Sequence, residues 1–237
     1  TGVQTCALPI FLDSDLPENA TWDRALTDFL YGGDAYYRLC QEAILGFGGL
    51  RMLRALGHQH LTRFHLNEGH ASLLTLELLA EDLRAAGRQQ VTSADLDAVR
   101  ARCIFTTHTP VPAGHDRFGE ELIEEHLGPL RDALRMGRDT FMGLGRVQTH
   151  NGGEEFCMTV LALKTSRRAN AVSSLHGHVS RAMWMGMHPG LREDHVPIGH
   201  ITNGVHVQTW LAPAMRQVYE RHLGVNWVQR SHQDPSF

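Results

Sequence analysis

Apolar positions recur at helical steps along much of the chain. From Ala35 to Leu56 they fall at Leu39, Ala43, Phe47, Leu50 and Leu53, a spacing that predicts one helix, ended by Gly57. Leu73, Leu76 and Leu79 form a second stripe, predicting a helix over about residues 68–86 with Asn67 as its cap. Further helices are predicted at 22–30, 93–102 (opened by Ser93), 117–127, 130–136, 156–168, 174–187, and beyond Pro213 to about Leu223. Between them lie short β-prone runs at 61–66, 103–107, 169–173 and 196–201. Residues 143–153 are glycine-rich and read as loop. Strand and helix alternate, so the expected class is α/β, with a parallel sheet covered by helices.

The sharpest local pattern is C-I-F-T-T-H-T-P-V-P-A-G-H-D-R-F, residues 103–118. It begins as a buried strand and stops at Pro110 and Pro112, which cannot extend a ladder. His108, Thr109, His115, Asp116 and Arg117 follow that stop. In an open α/β sheet, ligands bind at the carboxyl ends of the strands. The other strands end alike: His65-Leu-Asn67-Glu68-Gly-His70, then Asn170 with His176, then Thr202-Asn203-Gly204-Val205-His206. In a parallel sheet these four sets share one edge. Amide, hydroxyl and imidazole groups there both donate and accept, as sugar hydroxyls require. Each residue also has a plainer reading. Glu68 serves equally as a first-turn carboxylate, Asn67 and Asn203 as a cap and a turn residue, and His70, His108, His176 and His206 as core histidines.

Composition narrows the classes. The chain has 237 residues, 42% of them apolar, and a net charge of −4, which gives no electrostatic case for nucleic acid or anionic lipid. No apolar run approaches the ~20 residues of a membrane helix. Cys6, Cys40, Cys103 and Cys157 are scattered, which argues against a disulfide framework and suits a reducing compartment. The opening T-G-V-Q-T-C-A-L-P-I, residues 1–10, reads as the translation of a sequencing-library adapter, a non-native leader. Gly46, Gly48 and Gly49 do not make a dinucleotide fingerprint, because Arg51 stands at the third glycine's place; they read as sites of close helix packing.

Competing chemistries fare unevenly. His65 and His70 are five apart around Glu68, so they do not share a helix face as zincin ligands do; no metal site is expected. No G-x-S-x-G elbow is present. Glycoside hydrolysis needs two facing carboxylates; Glu68 would be one and Asp34 or Asp116 the other.

The motifs L-P-E-N with L-Y-G-G-D, R-L-C-Q-E-A-I-L-G, F-H-L-N-E-G-H-A, F-T-T-H-T-P-V-P-A-G-H-D-R-F, M-T-V-L-A-L-K-T-S-R-R-A-N-A-V-S-S-L-H-G and P-I-G-H-I-T-N-G-V-H-V-Q-T-W-L-A-P run in order over about residues 11–215. In this they resemble the α-glucan (glycogen/maltodextrin) phosphorylases, bacterial type. The resemblance implies a GT-B fold. It assigns residues 11–205 to the C-terminal part of a Rossmann-like N-terminal domain and residues 206–237 to the start of a second domain. It implies glycosyl transfer from an α-1,4-glucan to phosphate, giving glucose 1-phosphate, in a cytoplasmic enzyme that is a homo-oligomer at full length and uses pyridoxal 5'-phosphate. His108 and Asn203 match the family's catalytic sugar-site residues, against the glucose ring and its 6-hydroxyl. Asp34 matches the gating loop and Arg38 the arginine behind it. Glu68, His70 and Thr109 match the substrate-binding side of the cleft.

Departures from the family pattern are Ala171, Ser174, His178, Cys157 and Gln208. The single lysine, Lys164, is not in the family's cofactor-lysine context, so no cofactor-binding residue is expected in this chain. The chain therefore reads as a phosphorylase fragment, inactive by itself. A zinc-dependent hydrolase using Glu68 and the nearby histidines, or a non-catalytic carbohydrate-binding remnant, are the alternatives.

Overall fold

A strand covered on both faces reads as a near-continuous apolar run. Cys103–Thr107 is buried at every position except Ile104, which is partly buried. In the structure, a computed structural model that describes residues 10–233, this run is β2, at the interior of a four-stranded sheet. Its neighbours are β1 (Phe64–Asn67) and, past the short strands β3 (Arg117–Phe118) and β4 (Phe156–Cys157), β5 (Arg168–Ala171); β6 (Ile198–His200) follows β5. Every pairing in this sheet is parallel, with Leu66 opposite Phe105, Thr106 opposite Asn170, and Asn170 opposite Gly199. The expected α/β class with a parallel sheet is therefore what forms, and its four carboxyl ends lie on one edge. The leader reading of residues 1–10, Cys6 included, falls outside the described residues except at Ile10.

The helices are α1 (Thr21–Arg24), α2 (Ala35–Ala43), α3 (Gly49–Ala55), α4 (Leu73–Ala85), α5 (Ser93–Arg102), α6 (Glu120–Ala133), α7 (Arg138–Gly143), α8 (Met158–Thr165) and α9 (Ser174–Trp184). A second compact unit begins at Asn203. It holds α10 (Val207–Trp210), α11 (Pro213–Leu223) and α12 (Trp227–Gln233). The main core joins Leu39, Leu50, Leu66, Leu73, Phe105 and Phe156. A smaller cluster of Val160, Trp184, Val196 and Ile198 lies under α9.

Several expected elements are corrected. The helix over 35–56 is interrupted by a π-helical turn, Ile44–Gly48. Gly46 there approaches α4 so closely that a Cβ would stand 2.7 Å from that of Leu73, which is the close packing its glycine suggested. Asn67 is not a helix cap: it is the last residue of β1, paired with Thr106. Glu68 caps a 3-10 turn, Gly69–Ala71, and α4 starts only at Leu73. The cap of α5 is Thr92 rather than Ser93, in a reciprocal capping box with Asp95. Residues 117–127 and 130–136 are not two helices. Arg117 and Phe118 pair antiparallel with Cys157 and Phe156, and α6 runs through Pro129. That pairing also removes Phe156 and Cys157 from the following helix, which stops at Thr165.

Residues 144–153 are loop but are stitched down. Lys164 Nζ donates to Gly143 O (2.7 Å), Arg146 O (2.6 Å) and Thr149 Oγ1 (3.0 Å). Arg146 is itself 1% exposed and donates to Glu154 O (2.8 Å) and Glu120 Oε2 (2.7 Å).

Candidate functional site

At the carboxyl edge the chain leaves β1 through Glu68. Its N–H still donates to Thr106 O (2.9 Å), as a ladder residue would. Its backbone then swings to φ 68°, ψ 172°, a region L side chains rarely adopt. The next residue has no room for a side chain: a Cβ on Gly69 would lie 2.9 Å from Thr159 Oγ1 and 3.0 Å from Thr159 N. This turn aims the Glu68 carboxylate at the end of β2. Oε2 accepts the His108 N–H (2.6 Å), the Thr109 N–H (2.9 Å) and the Thr109 hydroxyl (2.9 Å). Oε1 accepts the Gly69 N–H (3.1 Å). Glu68 is 6% exposed, whereas the His108 side chain is exposed.

A second set forms where α2 meets the loop after β2. Asp116 Oδ2 accepts from Arg38 Nη2 (2.7 Å) and from His70 Nδ1 (3.1 Å). The Met158 N–H at the start of α8 donates to the Asp116 carbonyl (3.1 Å) and fixes the loop there. Glu42, one turn beyond Arg38, stands 3.6 Å from Arg38 Nη2 and 3.7 Å from His70 Nδ1. Both Glu42 oxygens are buried without a hydrogen-bond partner. The Tyr31 ring covers the Arg38 guanidinium, 5.1 Å away, and lies 5.4 Å from the His70 ring.

The charges follow from these contacts. Hydrogen bonding to Asp116, with the buried Glu42 carboxylate 3.7 Å away, pushes the His70 pKa up to about 9, so the ring is an imidazolium at neutral pH. Burial, aided by the Asp116 charge, raises Glu42 to about 7. His70 and Arg38 hold Asp116 well below the usual carboxylate range against the cost of its burial. Arg38, Glu42, Tyr31 and His70 line an open pocket of about 420 Å³ together with Leu26, Phe29, Leu30 and Leu45.

The structure thus gathers Glu68, His108 and Thr109 into one set and Arg38 and His70 into another. Asp34 joins neither: its carboxylate caps α2 by accepting the Tyr37 N–H (2.9 Å). Asn203 lies in the second unit and is exposed. His115 is a core residue, bonded to Thr159 Oγ1 (2.9 Å) and edge-on to Trp184. His176 is buried at the start of α9. Asp116, a candidate partner carboxylate for Glu68 in the sequence, instead joins the second set, which Glu42 and Tyr31 complete without having been expected site residues. The i, i+4 spacing of Arg38 and Glu42 on a helix was the one available signal.

Glu42, His70 and Asp116 form the metal-like triad among the described residues, with ligand atoms within 4.8 Å of one another. Its centre already holds a cation, because Arg38 Nη2 lies 2.7 Å from Asp116, 3.3 Å from His70 and 3.6 Å from Glu42. Glu68 is engaged by backbone N–H groups, and His65 Nε2 is bonded to Thr106 Oγ1 (2.7 Å). A zinc centre on Glu68 and the nearby histidines does not fit this arrangement. Nor does the one lysine fit a Schiff-base role. All three Lys164 ammonium protons are committed to Gly143, Arg146 and Thr149.

No family model matches the chain. Known proteins do. It is 42% identical to the glycogen phosphorylase of Mycobacterium tuberculosis over an alignment of 245 residues, 96% of this chain and 28% of that protein. It is 40% identical to the maltodextrin phosphorylase of Thermococcus litoralis over 216 residues, 91% of this chain and 25% of that protein. The chain is homologous to the glycogen and maltodextrin phosphorylases. The glycogen phosphorylase of Aquifex aeolicus is a more distant relative, 33% identical over 92% of this chain. The chain spans about a quarter of the length of these phosphorylases. No helix among the described residues is long and apolar enough to cross a membrane.

Proposed function

We propose that this chain is the part of an α-glucan phosphorylase that holds the glucosyl unit during transfer from an α-1,4-glucan to phosphate, yielding glucose 1-phosphate. The observation that carries the reading is the alignment to named phosphorylases over nearly the whole chain, joined to a polar strand edge presenting His108 on a rigidly held loop. In this reading His108 and Asn203 contact the sugar. A backbone carbonyl at His108 offers partial negative charge to an oxocarbenium-like transition state. Thr109, His70 and Arg38 border the glucan, and Asp34 belongs to the loop over the cleft. Residues 11–205 are then the C-terminal part of the N-terminal GT-B domain, and residues 206–237 open the second domain. Pyridoxal 5'-phosphate belongs to the complete enzyme, and its lysine is supplied from outside this chain. The complete enzyme is a cytoplasmic homo-oligomer.

The test is phosphate-dependent release of glucose 1-phosphate from maltodextrin. The full-length protein containing this segment should show it, and His108→Ala should lower kcat by about 100-fold. The isolated 237-residue chain should show none. Release of free sugar without phosphate, or turnover by the isolated chain, would overturn the reading.

A further inference from the structure

We propose that Glu68 is a positioning residue that sets the direction of the His108 carbonyl, a role that rests on the phosphorylase reading above. The argument starts from the peptide between His108 and Thr109. The described chain has no cis peptide bond, and in a trans peptide the C=O and N–H point in opposite directions. The Thr109 N–H points at Glu68 Oε2, 2.9 Å away. The His108 carbonyl is therefore turned away from Glu68. The preceding peptide is held in the same way by the His108 N–H, at 2.6 Å. One carboxylate oxygen thus fixes two successive peptide planes, and Pro110 stiffens the loop just beyond them.

Three features separate this role from direct binding of substrate. Oε2 already accepts three hydrogen bonds of 3.0 Å or less, which leaves no good lone pair for a sugar hydroxyl. Glu68 is buried while His108 is exposed, so the clamp lies behind the residue it orients. Its φ of 68° is tolerated only where the surroundings over-determine it, and here those surroundings are the same three donors together with Gly69 wedged against Thr159. The carboxylate acts through the His108 loop, by way of two backbone N–H groups and the Thr109 hydroxyl.

Glu68→Gly separates fold from positioning, because glycine accepts the positive φ without strain yet removes the carboxylate. Amide hydrogen exchange in the 237-residue chain gives the first readout. In the variant, protection at His108 and Thr109 should fall by about tenfold or more, while Phe105 in the middle of β2 keeps its own. In the full-length phosphorylase the variant should lose about 100-fold in kcat with glucan KM changed by less than about twofold. Glu68→Gln, which keeps an oxygen acceptor, should recover part of kcat. A raised KM at unchanged kcat would make Glu68 a substrate ligand and overturn the proposal, as would unchanged amide protection. If the unmodified full-length protein releases no glucose 1-phosphate, the functional reading fails, and the exchange measurement alone decides whether the clamp exists.

Discussion

Replacing Asp116 by Asn tests the charge balance beneath Tyr31. Asp116 Oδ2 receives both Arg38 and His70, and the three side chains are only 13%, 23% and 24% exposed for Arg38, His70 and Asp116. The unmodified chain carries a built-in pH dependence. The His70 pKa rises from 6.5 to about 9 on folding. A raised folded value means stability that is fully present below the unfolded pKa and lost as pH climbs through the folded one. At ~1.4 kcal/mol per unit this is about 3 kcal/mol. Glu42, raised by burial from 4.5 to about 7, has the same sign: its contribution is present below 4.5 and lost through about 7. Asp116 has the opposite sign, and its contribution is lost only as pH falls below its normal value of 3.8. The chain should therefore be most stable at about pH 4, between the ordinary values of 3.8 for Asp116 and 4.5 for Glu42, and weaken steadily to about pH 9.

In Asp116→Asn, two cations face each other with only the Glu42 carboxylate, 3.6 and 3.7 Å from them, left to balance their charge. Breaking a buried pair in this way costs about 3 kcal/mol. His70 should titrate about 1–2 units lower, the shift expected on removing an adjacent opposite charge, and the alkaline slope should flatten accordingly. Urea denaturation at acid and alkaline pH gives the slope, and NMR titration of the His70 ring gives the pKa. Unaltered His70 titration in the variant would refute the assignment of Asp116 as its main partner. A stability profile that is flat between about pH 6 and 9 in the unmodified chain would refute the linkage argument itself.

Lys164→Met removes the ammonium that joins Gly143 O, Arg146 O and Thr149 Oγ1. It should destabilise the chain by about 2–3 kcal/mol and open residues 144–153 to limited proteolysis; an unchanged urea midpoint would show that water replaces the staple. Gly69→Ala forces a Cβ to within 3.0 Å of the Thr159 backbone nitrogen and should cost about 1–3 kcal/mol, read from the same denaturation curves. A neutral result would mean that the turn after β1 can move away from α8 freely.

The class of fold was legible because it depends on local patterns. Each of the four main strands is a short β-prone run between helical stretches, and β2 declares itself by stopping at Pro110. What escaped the sequence depended on partners far along the chain. Phe156 and Cys157 carry no local mark of a strand. They become one only because Phe118 and Arg117 lie opposite, and the same pairing delays α6 to Glu120. The end of β1 shows the sharper case. Local capping rules favour Asn67, yet the parallel ladder with β2 uses Asn67 as a strand residue and passes the turn to Glu68. A glutamate at positive φ has no propensity argument behind it. Its conformation is intelligible only once the His108 and Thr109 N–H groups, some 40 residues away, are in place to receive its carboxylate. The Arg38–Asp116 contact spans 78 residues, and Glu42 looks from sequence like an ordinary polar position on an amphipathic helix. Helical spacing could relate Glu42 to Arg38, but not show that the loop after β2 would bury both beside His70. The candidate site is thus readable as a set of strand ends, while the division of labour among its carboxylates is a property of the closed fold. Glu68 holds backbone, Asp116 balances two cations, and Glu42 stays buried without a hydrogen-bond partner, though all three are equally plain acids in the sequence.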